Sequence, residues 1–121
     1  MPETVALLKD VYELLSMPEN WCQGALAMDI DGYDVAPCDP YACRWDIAGA
    51  VYYVGWTYDR HVRKLALESI ERVTRQGYDT DIQTFNDSPN TTHDDVVEVL
   101  GEAIADAENL IEPDAESCFW R

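Results

Sequence analysis

The sequence predicts a small, mainly helical α+β single domain of about four helices with a short β-hairpin. The chain has 121 residues, of which 47% are hydrophobic and 26% are charged, a composition typical of one globular domain. In several stretches the apolar residues recur at the three- and four-residue spacing of a helix face, and in one short stretch they alternate with a period of two. We expect a globular domain over residues 1–111 and an acidic tail over 112–121.

The first helix and the hairpin occupy the first third of the chain. Residues 4–15 form the predicted helix, with Leu8 and Leu15 on one face and Thr4 as a cap. Apolar residues then alternate over 23–35 on either side of Asp31-Gly32, a pair that tolerates the backbone of a tight turn. This pattern predicts a short β-hairpin.

The second helix is predicted to be the buried one. Residues 41–56 carry only Arg44 and Asp46 as charges, and a helix that is apolar nearly all round usually lies inside the fold. Asp39 followed by Pro40 is typical of a helix start, because Asp caps the free amides and Pro lacks one.

Two further helices are predicted in the second half. One begins near Thr57 and ends before Gly77, a residue type common at the left-handed end of a helix. A loop over 78–91 follows. The last helix begins at Thr92, with Asp95 placed to answer the cap, and ends at Pro113.

The charge of the chain limits its partners. Twenty-four acidic residues against eight basic ones give a net charge of -16, which argues against direct binding to nucleic acid or to an anionic membrane. The longest apolar run, residues 47–56, is ten residues, about half of a membrane-spanning helix. We therefore expect a cytosolic protein.

Cysteine and histidine spacing gives no cofactor or metal site. A chain of this size does not need disulfides, so we expect reduced thiols. The cysteines do not form the close pairs of a structural zinc site, and Asp29 to Asp34 lacks the glycine position of a calcium loop. Cys22, His93 and Asn86 can be combined as nucleophile, base and orienting group, but no local signature supports that set.

A row of acidic residues is the main candidate for a binding surface. No Lys or Arg lies between Arg75 and Arg121, a stretch with twelve carboxylates. Helical spacing places four of them on one face of the last helix, about 5 to 6 Å from their neighbours: Asp95, Glu98, Glu102 and Asp106. Such a row can bind the cationic groove of a nucleic-acid-binding protein. Alternatively, it neutralises the basic third helix, or the acidity reflects the composition of the host.

Several short motifs resemble an uncharacterised family of actinobacteria and their phages. They begin with Trp21-Cys22-Gln23-Gly24-Ala25-Leu26-Ala27 and continue with Arg44-Trp45, Gly49-Ala50 and Asn86-Asp87. The resemblance covers about residues 5–108. It implies a phage or mobile-element setting and no reaction. Family members often have Cys where this chain has Asp46.

Two functions follow as alternatives. The first is a non-enzymatic acidic protein that binds a basic surface of a host protein. The second is a small enzyme with a pocket around five motif residues: Trp21, Gln23, Asp46, Asn86 and Asp87. A buried Asp46 needs a partner, such as Arg44 or an indole N–H. Burial of the motif residues in structural hydrogen bonds favours the binding protein, whereas their convergence on a pocket favours the enzyme.

Overall fold

A computed structural model describes the backbone of residues 2–119 and the side chains of residues 2–109. Within this part, five α-helices, a 3₁₀ turn and two short strands follow one another. They are α1 (Pro2–Leu15), the 3₁₀ turn (Pro18–Asn20), β1 (Ala27–Met28), β2 (Arg44–Trp45), α2 (Ile47–Val54), α3 (Arg60–Tyr78), α4 (Ile82–Asp87) and α5 (His93–Phe119). The side chains of the expected acidic tail over 112–121 lie outside the described part.

The core lies where α1, α3 and α5 pack against one another, with α2 also against α1. Each helix contributes fully buried side chains at helical spacing, such as Leu7, Leu8 and Val11 of α1, Ile70 of α3 and Leu100 of α5. The prediction of a mainly helical α+β domain is confirmed. No helix in the described residues combines the length and the hydropathy that a bilayer crossing requires.

The predicted turn is present, but β1 has a different main partner. Gly32 has a φ of 87°, and the Oδ1 of Asp29 accepts hydrogen bonds from backbone amides in this turn. The returning chain makes only an isolated bridge, between Met28 and Asp34. Instead, β1 pairs antiparallel with β2, so that Ala27 lies opposite Trp45.

The second helix begins six residues later than predicted, at Ile47. Asp39 caps only a local turn, since its Oδ1 accepts the amide of Tyr41 at 2.8 Å. The chain then enters β2, where Trp45 is buried. The prediction of a buried helix over 41–56 is therefore wrong at both ends, and Trp56 is 73% exposed after the helix has ended.

Polar residues set the ends of the other helices. Asp59 caps α3, and the left-handed residue at its end is Asp79, with a φ of 56°, rather than Gly77. The sequence predicts a loop over residues 78–91, but Asp81 caps α4 within them. The last helix, α5, extends past its predicted end at Pro113, although a proline inside a helix removes one helical hydrogen bond.

Candidate functional site

Asn86 lies at the centre of the motif residues and is fully buried. Its Oδ1 accepts hydrogen bonds from the indole nitrogen of Trp21 at 2.9 Å and from the backbone amide of Ile47 at 3.0 Å. Its Nδ2 donates to the backbone oxygen of Cys22 at 3.2 Å and to the Oδ1 of Asp87 at 2.9 Å. One side chain thus joins the segment before β1, the start of α2 and the end of α4.

Gln23 and Asp87 extend the same contact. The Nε2 of Gln23 donates to the backbone oxygens of Asn86 and Ser88, both at 2.9 Å, and the amide of Gly24 donates to the Oδ1 of Asp87 at 3.0 Å. The tryptophan and glutamine of the first motif therefore meet the Asn-Asp pair in space. They meet it at the end of a helix rather than in the predicted loop.

Asp46 is also fully buried, and it caps α2. Its Oδ1 accepts the amide of Gly49 at 2.6 Å, and its Oδ2 accepts the Nε2 of Gln83 at 2.9 Å. The same Nε2 donates to the Oδ2 of Asp87 at 3.0 Å. The buried Asp46 thus has a partner, which is a side-chain amide rather than Arg44 or an indole N–H.

Gln83 also belongs to this site, although no motif in the sequence indicates it. It bridges two carboxylates because it lies four residues before Asp87, a spacing that brings side chains together on a helix. Only the recognition of α4 could have revealed this spacing. All five motif residues named above are therefore brought together, and their functional role remains a prediction.

The two bridged carboxylates have opposite pKa shifts. Burial raises the pKa of Asp46, and the two hydrogen bonds that it accepts oppose this effect only in part. Burial also acts to raise the pKa of Asp87, but the hydrogen bonds that it accepts, first from the Gly24 amide, outweigh burial and leave this pKa lowered. The network thus holds one carboxylate that resists ionisation beside one that favours it.

Asp46→Asn is expected to change the pH dependence of stability. Because the folded pKa of Asp46 is raised, the wild type loses stability as pH rises above the unfolded value of 3.8 and through the folded pKa. The variant has no such loss. The free energy of unfolding of the variant minus that of the wild type should therefore increase with pH from about pH 4 upward. Urea titrations across this range measure the difference, and a flat or falling difference would contradict the assignment.

Cys22 does not have the properties of a nucleophile. Its side chain is buried, and burial raises the pKa of its thiol to about 12, with the charge of Asp46 adding to the effect. Since the thiolate is the reactive form, little of it exists near neutral pH. The Nε2 of His93, the proposed base, lies 2.6 Å from the backbone oxygen of Leu15.

Thiol labelling of the native protein should separate Cys22 from Cys38. Cys38 is exposed, whereas Cys22 is buried, so Cys38 should react at least about 100-fold faster with a disulfide reagent. Mass spectrometry of peptides from timed aliquots gives both rates, with urea-unfolded protein as the control in which the difference disappears. Equal rates in the native state would contradict the burial of Cys22.

The four residues of the acidic row differ in their surroundings: two make structural contacts and two are exposed. Asp95 forms a capping box with Thr92, accepting the Thr92 amide with its Oδ2 at 3.0 Å. Asp106 accepts the Nη2 of Arg72 at 2.8 Å. These two acids serve local structure, and the alternative that the row neutralises the basic helix holds for Asp106. Glu98 and Glu102 are exposed, and neither takes part in the ion pairs found within the described residues.

Tyr78 lies beside this row. Its ring packs on Phe85 with centroids 4.6 Å apart and is 42% exposed. Burial raises the pKa of its hydroxyl, and the charges of the row raise it further. An exposed aromatic side chain thus lies within the negative field of α5.

Two open clefts lie elsewhere on the surface, and none of the five motif residues lines either of them. One, of about 820 Å³, follows the basic side of α3, where Arg60, Arg63 and Lys64 are among the lining residues. The other, of about 650 Å³, lies between α1 and the connection from α2 to α3.

Within the described residues, no three His, Cys, Asp or Glu side chains come together to hold a metal ion.

Comparison with known proteins identifies a family. A family model described as "Family of unknown function (DUF6197)" matches residues 1–106. No curated protein and no solved structure matches the chain. The matched residues include all five motif residues and the whole acidic row.

Proposed function

The chain belongs to the DUF6197 family of unknown function, and from its surface we propose a non-enzymatic binding protein that engages a basic surface of another protein. One observation carries this proposal. Glu98 and Glu102 are exposed one helical turn apart on α5, and no described ion pair neutralises them. Uncompensated charges of one sign attract a surface of the opposite sign and accelerate association with it.

The enzyme alternative has less support. Each of the five motif side chains makes at least one hydrogen bond within the network around Asn86, which Asp46 joins through Gln83. None of them lines either cleft. Side chains that are engaged in this way favour a structural role for the motif, and this supports the exposed surface as the proposed place of binding.

The proposed partner is a basic host protein, with a nucleic-acid-binding surface as the leading case. Carboxylates one turn apart are about 5 to 6 Å from each other, a spacing comparable to that of phosphates along a strand. Tyr78 adds an exposed ring beside them, and tyrosine is enriched where interfaces are most strongly bound. The net charge of -16 makes direct contact with nucleic acid or an anionic membrane unfavourable.

The proposed setting is the cytosol of a bacterial host, with the protein encoded by a phage or another mobile element. Its support is the resemblance of the Trp21 to Ala27 motif to proteins from actinobacteria and their phages. An acidic protein that occupies a nucleic-acid-binding groove would act there as an inhibitor of a host factor. The partner would then lose access to nucleic acid whenever the complex forms.

Charge reversal of the two exposed glutamates tests this function. Glu98→Lys with Glu102→Lys should abolish capture of the partner from host lysate, because the reversed side chains repel a basic surface. Asp106 is left unchanged, since a lysine there would face Arg72 and weaken the fold. Capture is quantified by mass spectrometry against immobilised wild type.

The matched control reverses two exposed acids on other elements, Glu3 and Glu19. Glu3→Lys with Glu19→Lys changes the net charge by the same amount and should retain capture. Equal loss in both double variants would indicate only a general effect of net charge. Full capture by the Glu98 and Glu102 variant would refute a role for this face.

A further inference from the structure

The cleft of about 650 Å³ beside α1 is lined by two exposed aromatic residues and two carboxylates. We infer that it binds an arginine side chain of a peptide or protein partner, with the guanidinium on the Trp56 ring and beside Asp10 and Glu13. This site shares no residue with the acidic row, so it can be tested independently of the proposed function.

Trp56 is the first reason. It is 73% exposed, whereas the indole nitrogens of Trp21 and Trp45 both donate hydrogen bonds within the fold. A large apolar ring left in water at a concave surface is typical of a binding site rather than of core packing. No hydrogen bond within the described residues engages the Trp56 indole.

Tyr53 makes the aromatic wall rigid. Its ring stacks on that of the buried Trp45, with centroids 4.4 Å apart and planes 21° from parallel, and it remains 41% exposed. A ring held in place by stacking needs little further ordering when a ligand arrives. Val54 adds an apolar surface to the same cleft.

The charge of the cleft selects a cation. Asp10 and Glu13 are exposed on successive turns of α1, and the described lining residues include no Lys or Arg. The Oδ2 of Asp10 accepts the hydroxyl of Tyr58 at 3.0 Å, which fixes this carboxylate in position and leaves its Oδ1 for a ligand. Charge complementarity therefore favours a cationic group over a neutral or acidic one.

Arginine fits this combination better than lysine does. Its planar guanidinium stacks on an aromatic face and donates two parallel hydrogen bonds to a carboxylate, whereas the lysine ammonium is a compact, strongly hydrated charge. The volume of the cleft exceeds that of one guanidinium, which leaves space for the neighbouring residues of a peptide. The occupant is thus an arginine-bearing peptide segment.

The test is a titration of the full chain, labelled with nitrogen-15, with the peptide acetyl-Gly-Arg-Arg-Gly-amide. The Trp56 indole signal, assigned by its loss in Trp56→Phe, should shift in a saturable manner while the Trp21 and Trp45 signals stay in place. A matched peptide with citrulline in place of arginine has the same shape without the charge. It should bind at least about five-fold more weakly.

Variants locate the site on the chain. Asp10→Asn and Glu13→Gln should each weaken binding, and Trp56→Ala should abolish the saturable shifts. Tyr41→Ala, which removes another strongly exposed ring, should have no effect, and neither should the reversal of Glu98 and Glu102. Because the substituted side chains are exposed, each variant is expected to fold. An amide spectrum that otherwise matches that of the wild type shows that it does.

Three results would overturn this inference. Equal affinity for the arginine and citrulline peptides would show stacking without charge selection. Shifts confined to the region of Glu98 and Glu102 would place peptide binding on α5 instead, and would support the proposed function while refuting this site. The absence of any saturable shift would refute binding of arginine in the cleft.

Discussion

Replacing Asn86 with alanine is expected to lower the free energy of unfolding by about 3 to 5 kcal/mol, because the loss leaves several buried polar groups without partners. The Trp21 indole nitrogen and the Ile47 amide lose their acceptor, and the Cys22 carbonyl loses its donor. This is a large share of the about 5 to 15 kcal/mol that stabilises a typical domain. Urea denaturation followed by circular dichroism measures the change.

Asn90 supplies the matched control. It is exposed in the turn after α4, and its side chain makes no hydrogen bond within the described residues. Asn90→Ala should therefore change stability by less than about 0.5 kcal/mol. A cost for Asn86→Ala as small as that of the control would mean that the network around Asn86 does not hold the three segments together.

Gly49→Ala is expected to be the second strongly destabilising change, with a cost of at least about 3 kcal/mol. A Cβ at this position would collide with the backbone oxygen of Leu26 and approach its carbonyl carbon to 2.8 Å. Because that oxygen also accepts the amide of Asp46, the chain before β1 cannot move away without losing a hydrogen bond. The change is measured by urea denaturation of purified variant and wild type.

In contrast to Gly49→Ala, Gly77→Ala is expected to raise the free energy of unfolding. Gly77 lies within α3, and a Cβ there would have no neighbour within 4 Å. Alanine restricts the unfolded chain more than glycine does, so this variant should gain about 0.5 kcal/mol. A Gly49→Ala variant that is as stable as Gly77→Ala would contradict the close approach of α2 to the segment before β1.

The long helices could be predicted from the sequence because their apolar residues repeat over several turns. In α3 and α5 the residues Val62, Ile70 and Leu100 follow this spacing and are buried. The short elements could not be predicted in this way. The six residues of α4 are too few for a periodic pattern. The strand β2 lies in the stretch 41–56, whose low number of charges fits a buried helix equally well.

The candidate site, like the fold, could be predicted from the sequence only in part. Asn86 and the Trp21 segment could be associated from the sequence, because a buried indole requires an acceptor and turn-forming side chains supply one. Gln83 could not be found without α4, since its role depends on helical spacing. The sequence places Trp56 in the buried helix, because only the position of the helix end decides whether that ring faces the core or the solvent.

The central claim is that the exposed carboxylates of α5 bind a basic partner by electrostatic attraction. Its most direct test measures association of the purified chain with the captured partner as salt rises from about 50 to 500 mM, a range over which the screening length shortens several-fold. We expect the association rate of the wild type to fall by at least about ten-fold, and the Glu98→Lys, Glu102→Lys variant to show no measurable association at the lowest salt. A wild-type association rate that stays constant across this range, or a double variant that binds as fast as the wild type, would contradict the claim.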